Sequence, residues 1–441
     1  MNNGLLWNYQ LNYFDLLKQT EISIDQKISL LENHCQQLQS NTFGLDAYPT
    51  SLRLMNSIQF FIHNRIDNIN LQKSLFQQSK LLENIIEYHL CGNHLLENGF
   101  ALYWSGIYFN DSRQMQLGKS LLMDELNEQL LADGGHFELS PQYHCIILER
   151  ILDLIQLLSK NNLDSEFLNG LLSYSSRMLS WLEAIRFTNG ELPLVGDSTI
   201  QCSEKANALN EYAKQLKIPI HSIQLKESSY RMFRNNKYDC LVDVGKIGPD
   251  YIPGHAHADS LSFIISNKNK QVFCDTGIST YEKNEQRQYE RSTAAHNTVV
   301  IKDQNSSEVW GGFRVGNRAK ARIHLETKDE IIASHDGYRK YKITHKRRFQ
   351  FYPCSVVIHD SVSHPSQRLE QAKAYFHINS EIKPSLINNQ WIHPEFIISF
   401  STKETVKIVS APHADDYNKV IDQFAFVVHF EGQLKTVITL L

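Results

Sequence analysis

The chain predicts an α + β protein of two domains: helical hairpins stacked into an incomplete α/α toroid, then an antiparallel β-sandwich. Three observations carry this. Apolar residues recur at helical spacing from about Ile22 to Leu216, short β-rich segments take over after about Ser228, and no low-complexity linker separates the halves. At 441 residues the chain is also too long for one ordinary core. The expected division is 1–222 and 223–441, with a functional site at the seam.

In the first half, residues 81–90 and 146–155 show the 3.6-residue apolar period most clearly. About seven or eight helices are expected. Short breaks separate them: Gly92-Asn93, Asn110-Asp111, Asp133-Gly134-Gly135, Asn161-Asn162 and Asn189-Gly190. Short loops make neighbouring helices antiparallel. In the second half, residues 239–244, 260–265, 355–358 and 424–428 read as strands with turn residues between them, as an antiparallel sandwich requires.

A hydrophobic content of 42%, a charged content of 21% and a formal net charge of −4 fit a soluble globular chain and argue against a nucleic-acid or membrane-surface binder. The seven cysteines are spread singly, with no CxxC pair, and read as reduced thiols. No signal peptide is visible, and no uncharged apolar run approaches the roughly 20 residues of a membrane-spanning helix. A cytoplasmic location without membrane insertion is the expectation.

Four stretches carry polar groups suited to chemistry. In the first, 92–99, Asn93 can donate an amide N–H to a carboxylate, while His94 and Glu97 lie three apart on a helix; alone, the stretch reads as an Asn cap with a solvated His and Glu. The second, 133–144, has a double glycine, then His136, then Tyr143 near the first turn of the next helix. A phenol of ordinary pKa ~10 works as acid or base only where its anion is stabilised, and a buried tyrosine with one hydrogen bond explains the stretch about as well. The third is His255-Ala256-His257-Ala258-Asp259. In an extended segment the three polar side chains share one face, with only alanines between them. Asp275 and His296 add further groups of metal-ligand type, a set suited to Zn²⁺. The fourth is basic, comprising Arg287, Arg291, Arg314, Arg318, Lys320 and Arg322 with Lys346, Arg347 and Arg348 downstream. Guanidinium groups can grip carboxylate or sulfate, although a solvated sheet face is the more frequent explanation.

Taken in order, the segments 48–53, 92–98, 133–144, 254–259 and 291–298 resemble the heparinase II/III-like polysaccharide lyases. Each motif is weak alone, and the ordered set is specific. The resemblance implies an α/α toroid before an antiparallel sandwich, and β-elimination at a 4-linked hexuronic acid. By position it makes Tyr143 and His255 catalytic, sets Asn93 and His94 on the uronate carboxylate, and makes His257, Asp275 and His296 ligands of a structural divalent metal, usually zinc. Glu97, His136, Arg291 and Arg314 are the further substrate-binding candidates. The expected partner is an anionic polysaccharide, with a bacterial capsule, exopolysaccharide or O-antigen favoured over heparin. Family members are commonly periplasmic, which is the alternative location.

Two rivals stand beside this reading. His-Ala-His-Ala-Asp looks like the start of a metal-hydrolase HxHxDH motif, but Ser260 occupies the second-histidine place and the β half lacks the alternating helices of an α/β barrel. A carbohydrate-binding or polysaccharide-assembly protein of the same fold, without turnover, is the non-enzyme alternative.

Overall fold

The computed structural model describes residues 5–38, 44–366 and 370–441. The helices before the first strand, which starts at Tyr230, are α1 (Leu5–Tyr13), α2 (Ile24–Gln37), α3 (Ala47–Asn64), α4 (Ile69–Leu82), α5 (Gly92–Tyr108), α6 (Ser112–Gln129), α7 (Pro141–Asn161), α8 (Ser165–Ile185) and α9 (Gln201–Gln215), and a short α10 (Glu285–Glu290) follows among the strands. Helices give way to strands between residues 216 and 229, inside the interval where the apolar period changes. Contacts between backbone positions group the chain into two compact units, residues 1–130 with 153–168, and residues 131–152 with 169–441.

The first unit holds α1 to α6. Its turn residues cap helices as their types dictate: the Asp111 carboxylate accepts the backbone N–H groups of Arg113 and Gln114 at the start of α6. Glycine permits α5 and α6 to approach closely. A Cβ on Gly118 would lie 2.5 Å from the Tyr103 backbone nitrogen, and one on Gly106 would lie 2.5 Å from that of Met115. Arg53 of α3 is fully buried, its guanidinium bonded to Gln78 and to the carbonyls of Asn12 and Gly44. It is internal framework.

The second unit is built on two antiparallel sheets. One runs in the order Tyr230–Arg234, Asp239–Asp243, Phe263–Ser266, Gln271–Phe273, Gln371–Ile378, Lys419–Glu431, Val406–Asp416, with Val299–Ile301 also paired to Gln371–Ile378. The other runs Gln390–Ile392, Phe396–Ser401, Gln433–Leu440, Ser355–Ser363, Thr344–Tyr352, Glu330–His335, Ala321–Glu326. Alternate residues of Ser355–Ser363 are buried, as a half-buried strand requires. Phe263, Phe273 and Phe376 of the first sheet pack in one core with Phe349, Phe396 and Phe400 of the second. Each large ring buried there contributes on the order of 1.5–3 kcal/mol.

A polar chain crosses this core. His335 Nδ1 accepts the Gly337 N–H, so its Nε2 carries the proton and donates to His345 Nδ1 at 3.0 Å; His345 Nε2 then donates to Asp360 at 2.8 Å. Arg347 closes the chain on Asp360 and also holds the carbonyls of Leu261 and Asn297. Buried polar groups are thereby satisfied, and the loop carrying His296 is tied to the sandwich.

Candidate active site

The double glycine, the start of α7 and the 253–259 segment meet within the second unit. Gly134 has φ +92°, which suits glycine, and a Cβ on Gly135 would lie 2.7 Å from Trp181 Nε1. This turn delivers Glu138 and then Tyr143, the third residue of α7. The Tyr143 ring stacks on His255, with centroids 3.6 Å apart and planes at 24°, and its hydroxyl donates to Tyr281 Oη at 3.2 Å.

The 253–259 segment is irregular, which corrects the strand expectation. Its carbonyls are held by side chains from residues 291–293: Arg291 donates to the Ala256 carbonyl and Thr293 Oγ1 to that of Ala258. His255 and His257 nevertheless converge on one group. Asp197 Oδ2 lies 2.8 Å from His255 Nδ1, and Asp197 Oδ1 lies 2.9 Å from His257 Nε2. Arg287 grips the same carboxylate through both terminal nitrogens, at 2.5 and 2.7 Å. Asp259 sits elsewhere, interacting electrostatically with Asp243, Asp275 and His296; burial, with Asp275 as a lesser cause, pushes its carboxyl up to about 6 against the opposing effect of His296.

Electrostatics fix the protons. Burial acts to raise the Asp197 carboxyl, but Arg287 and the two imidazole donors outweigh it and hold it well below the usual carboxylate range. An ionised Asp197 only accepts, so His255 Nδ1 carries a proton, and Nε2 is the ring atom left for proton exchange. That Nε2 is 3.6 Å from Glu138 Oε2. His257 is pushed down to about 4, chiefly by burial, and is neutral with its proton on Nε2. His136 is fully buried and also pushed down to about 4 by burial, so it is a neutral group behind the turn.

The metal candidates are partly assembled. His296 Nδ1 lies 2.7 Å from Asp275 Oδ2, and the rings of His257 and His296 are 5.3 Å apart. His257 Nδ1 and His296 Nε2 are buried with no hydrogen-bond partner, which polar atoms rarely are unless something else occupies them. Among the described residues no three His, Cys, Asp or Glu side chains form a ready ligand cluster. The two orphaned imidazole nitrogens, each backed by a carboxylate on its other nitrogen, are the donor arrangement that suits a metal.

Other candidates fare differently. Asn93, His94 and Glu97 lie on α5, in the first unit. There His94 Nδ1 is 3.2 Å from Glu87 Oε1 and its ring packs on Tyr48 at 4.3 Å, while Asn93 and Glu97 are buried. Arg291 is fully buried with its guanidinium spent on the carbonyls of Ala256 and Gly312, so the expectation of a substrate-binding Arg291 gives way to a brace. Arg314 is exposed on a small hairpin, Glu308–Trp310 paired with Arg314–Gly316. Asp197 escaped the sequence reading; its signal was a lone acid in the turn Gly196-Asp197-Ser198 after an apolar run, and Gly196 takes φ +56° with its Cβ position 3.1 Å from the His255 carbonyl. A cleft of about 1540 Å³ in this unit is lined by Glu183, His221, Arg231, Phe233, Glu326 and Tyr352 among others and includes neither Tyr143 nor His255.

Two family models match this chain, the heparinase II/III N-terminus over residues 45–222 and the heparinase II/III-like C-terminal region over residues 218–439. The chain belongs to the heparinase II/III-like family. Heparin-sulfate lyase of Bacteroides stercoris is 25% identical over 288 residues, 55% of this family member and 43% of the relative. That of Pedobacter heparinus is 28% identical over 286 residues, 58% and 42% of the two chains. The matches thus span less than half the length of these relatives. Solved structures share the fold of this heparinase II/III-like chain: heparinase III has a TM-score of 0.79 at 15% identity, covering 100% of this chain and 78% of that one. A heparan sulfate lyase HepC mutant from Pedobacter heparinus has a TM-score of 0.70 at 18% identity, covering 99% and 77%. Helices of α/α-toroid type before an antiparallel sandwich are therefore the fold class, as expected. Among the described residues no helix is long and apolar enough to cross a membrane.

Proposed function

We propose that this protein is a polysaccharide lyase that cleaves a uronate-containing anionic glycan by β-elimination, leaving a 4,5-unsaturated uronate. The observation that carries the reading is the Tyr143–His255 stack, with His255 fixed through Nδ1 by the ionised Asp197. Two proton-transfer groups, one phenol and one imidazole held through Nδ1 so that Nε2 is left for proton exchange, are what an elimination needs.

The C5 proton of a uronate lies α to a carboxylate and is acidic only when that carboxylate's charge is neutralised. Hydrogen-bond donors at that carboxylate stabilise the enolate-like anion as an oxyanion hole does, the role that the family resemblance gives to Asn93 and His94. His255 Nε2, or Tyr143 as phenolate according to the uronate epimer, takes the proton. The electron pair of the C5–H bond forms the C4–C5 double bond, the C4–O bond breaks, and Tyr143 protonates the departing oxygen. A structural divalent cation, zinc by the type of its donors, would be held by His257 Nδ1 and His296 Nε2 with Asp275 beside them. Bound there it would tie the 253–259 segment to the loop at residue 296. The relatives' names point to heparan-type glycans, and a bacterial capsule, exopolysaccharide or O-antigen of similar charge is the alternative substrate.

The test is ultraviolet absorbance of the conjugated product during incubation with a panel of uronate polysaccharides, for wild type, Tyr143→Phe and His255→Ala. A rise that both variants lose supports the reading, and a variant that keeps the rise removes that residue from the mechanism. Tight binding to one polymer with no rise would favour a carbohydrate-binding protein of the same fold.

A further inference from the structure

The hairpin beside the catalytic cluster carries more aromatic surface into water than its own packing requires. Trp310 and Arg314 are direct cross-strand partners in it, joined through Gly311, with φ +57°, Gly312 and Phe313. Cross-strand partners project from the same face of a two-stranded ribbon. Trp310 is 50% exposed and Phe313 45%. The Trp310 ring is backed by Gly316, where a Cβ would come within 3.0 Å of it.

The arm is anchored at the site. The Gly312 carbonyl accepts from Arg287 Nε and Nη2 and from Arg291 Nη1, and the Gly311 carbonyl accepts from Gln288 Nε2. Arg287 is also the residue that clamps Asp197. Phe313 packs edge-on to His255 at 5.9 Å and stacks on Tyr281 at 5.6 Å, and Tyr281 bonds the Tyr143 hydroxyl. A two-stranded ribbon is marginal alone, and this one is held rigid by the buried arginines of the catalytic cluster.

We propose that the hairpin 308–316 is a sugar-binding arm. Trp310 stacks on the apolar C–H face of a pyranose unit flanking the uronate at Tyr143 and His255, and Arg314 pairs with an anionic substituent of the same glycan. This rests on the lyase reading and adds a subsite to it. A flat amphipathic ring suits a sugar, which is apolar on its faces and polar at its rim. A guanidinium beside it suits a carboxylate or a sulfate ester.

Binding is measured in the Tyr143→Phe background, where turnover does not consume the ligand, by titration with heparan sulfate, chemically desulfated heparan sulfate and hyaluronan. Adding Trp310→Ala should weaken binding to the polymer that wild type prefers by roughly tenfold, with Trp310→Tyr recovering most of it. Adding Arg314→Ala should cost affinity only for sulfated polymer if sulfate is the partner, and for all bound polymers if the carboxylate is. With Tyr143 intact, Trp310→Ala should raise KM while leaving kcat within about twofold. Thermal melting of both Trp310 variants controls for folding. Unchanged binding and KM in Trp310→Ala overturns the arm even if elimination is observed. Binding that depends on Trp310 without elimination keeps the arm and removes the lyase reading, whereas no binding of any of the three polymers by wild type overturns the arm as a site for uronate glycans.

Discussion

The Asp197 carboxylate meets the Arg287 guanidinium through two parallel bonds, Oδ1 to Nη1 at 2.5 Å and Oδ2 to Nη2 at 2.7 Å, with both side chains fully buried. The same two oxygens receive His255 and His257, so one carboxylate sets the tautomer of the catalytic candidate and of its neighbour. A lone buried carboxylate would be driven to take up a proton, and Arg287 keeps it ionised. The pair occupies His255 Nδ1 and so leaves Nε2 as the atom that can exchange a proton.

Asp197→Asn presents an NH₂ where Arg287 or an imidazole also donates. The buried guanidinium is left uncompensated, at a cost of about 3–5 kcal/mol in stability. Where the imidazole is released to the wrong tautomer, turnover should fall on the order of 10³–10⁴-fold. Urea unfolding and initial rates of unsaturated product check the two effects separately, and a variant with wild-type rates would show that Asp197 does not orient the base.

The orphaned His257 Nδ1 and His296 Nε2 lead to an expectation about metal content. Protein purified without chelator should carry close to one divalent ion per chain by elemental analysis, and His296→Ala should lose it. Chelation should lower Tm by several degrees, because a ligand bound only to the folded state stabilises it by mass action. Metal-free protein with an unchanged Tm would remove the cation from the account.

Stability should decline in acid below about pH 6.5, the ordinary histidine value. His144 is pushed down to about 3 by burial, with His136 and the Met178 carbonyl as lesser influences, and burial likewise pushes His335 and His345 down. Unfolded, these side chains bind protons from about pH 6.5 downward, while the folded protein keeps them neutral until their lower values are passed. Their stabilising contribution is thus complete above pH 6.5 and is lost progressively toward pH 3–4. Urea midpoints from pH 8 to pH 4.5 should fall, and a flat profile would contradict the buried neutral assignments.

Gly118→Ala places a methyl group 2.5 Å from a backbone nitrogen of α5. Neither helix can yield there by rotating a side chain, so about 1–3 kcal/mol of destabilisation is expected despite the better helix propensity of alanine. Calorimetry on this variant beside Gly170→Ala, where a Cβ meets nothing within 4 Å, should show loss at the first position and none at the second.

Much of this was legible along the chain because it is local. The helical period, the switch to alternating strands and the break at Asn110-Asp111 depend on residues within a few positions of one another. So does the placing of Tyr143 in the first turn of α7, just after a double glycine. The pairing of His255 with His257 was visible too, though for a different reason from the one that operates: a strand would have set them on one face, whereas an irregular segment braced by Arg291 and Thr293 turns both toward Asp197.

What the sequence by itself determined is the order of the two fold types and the short motifs that carry a phenol and two imidazoles. Tertiary structure alone decided that Asp197, 58 and 60 positions from His255 and His257, joins them, and that Arg287, 90 positions from Asp197, completes the group. It also decided that Arg291 is a brace and Trp310 an exposed platform. The physical reason is that burial, and with it the strength of an ion pair and the proton on an imidazole, depends on what surrounds a group in space. Neighbours along the chain do not report that.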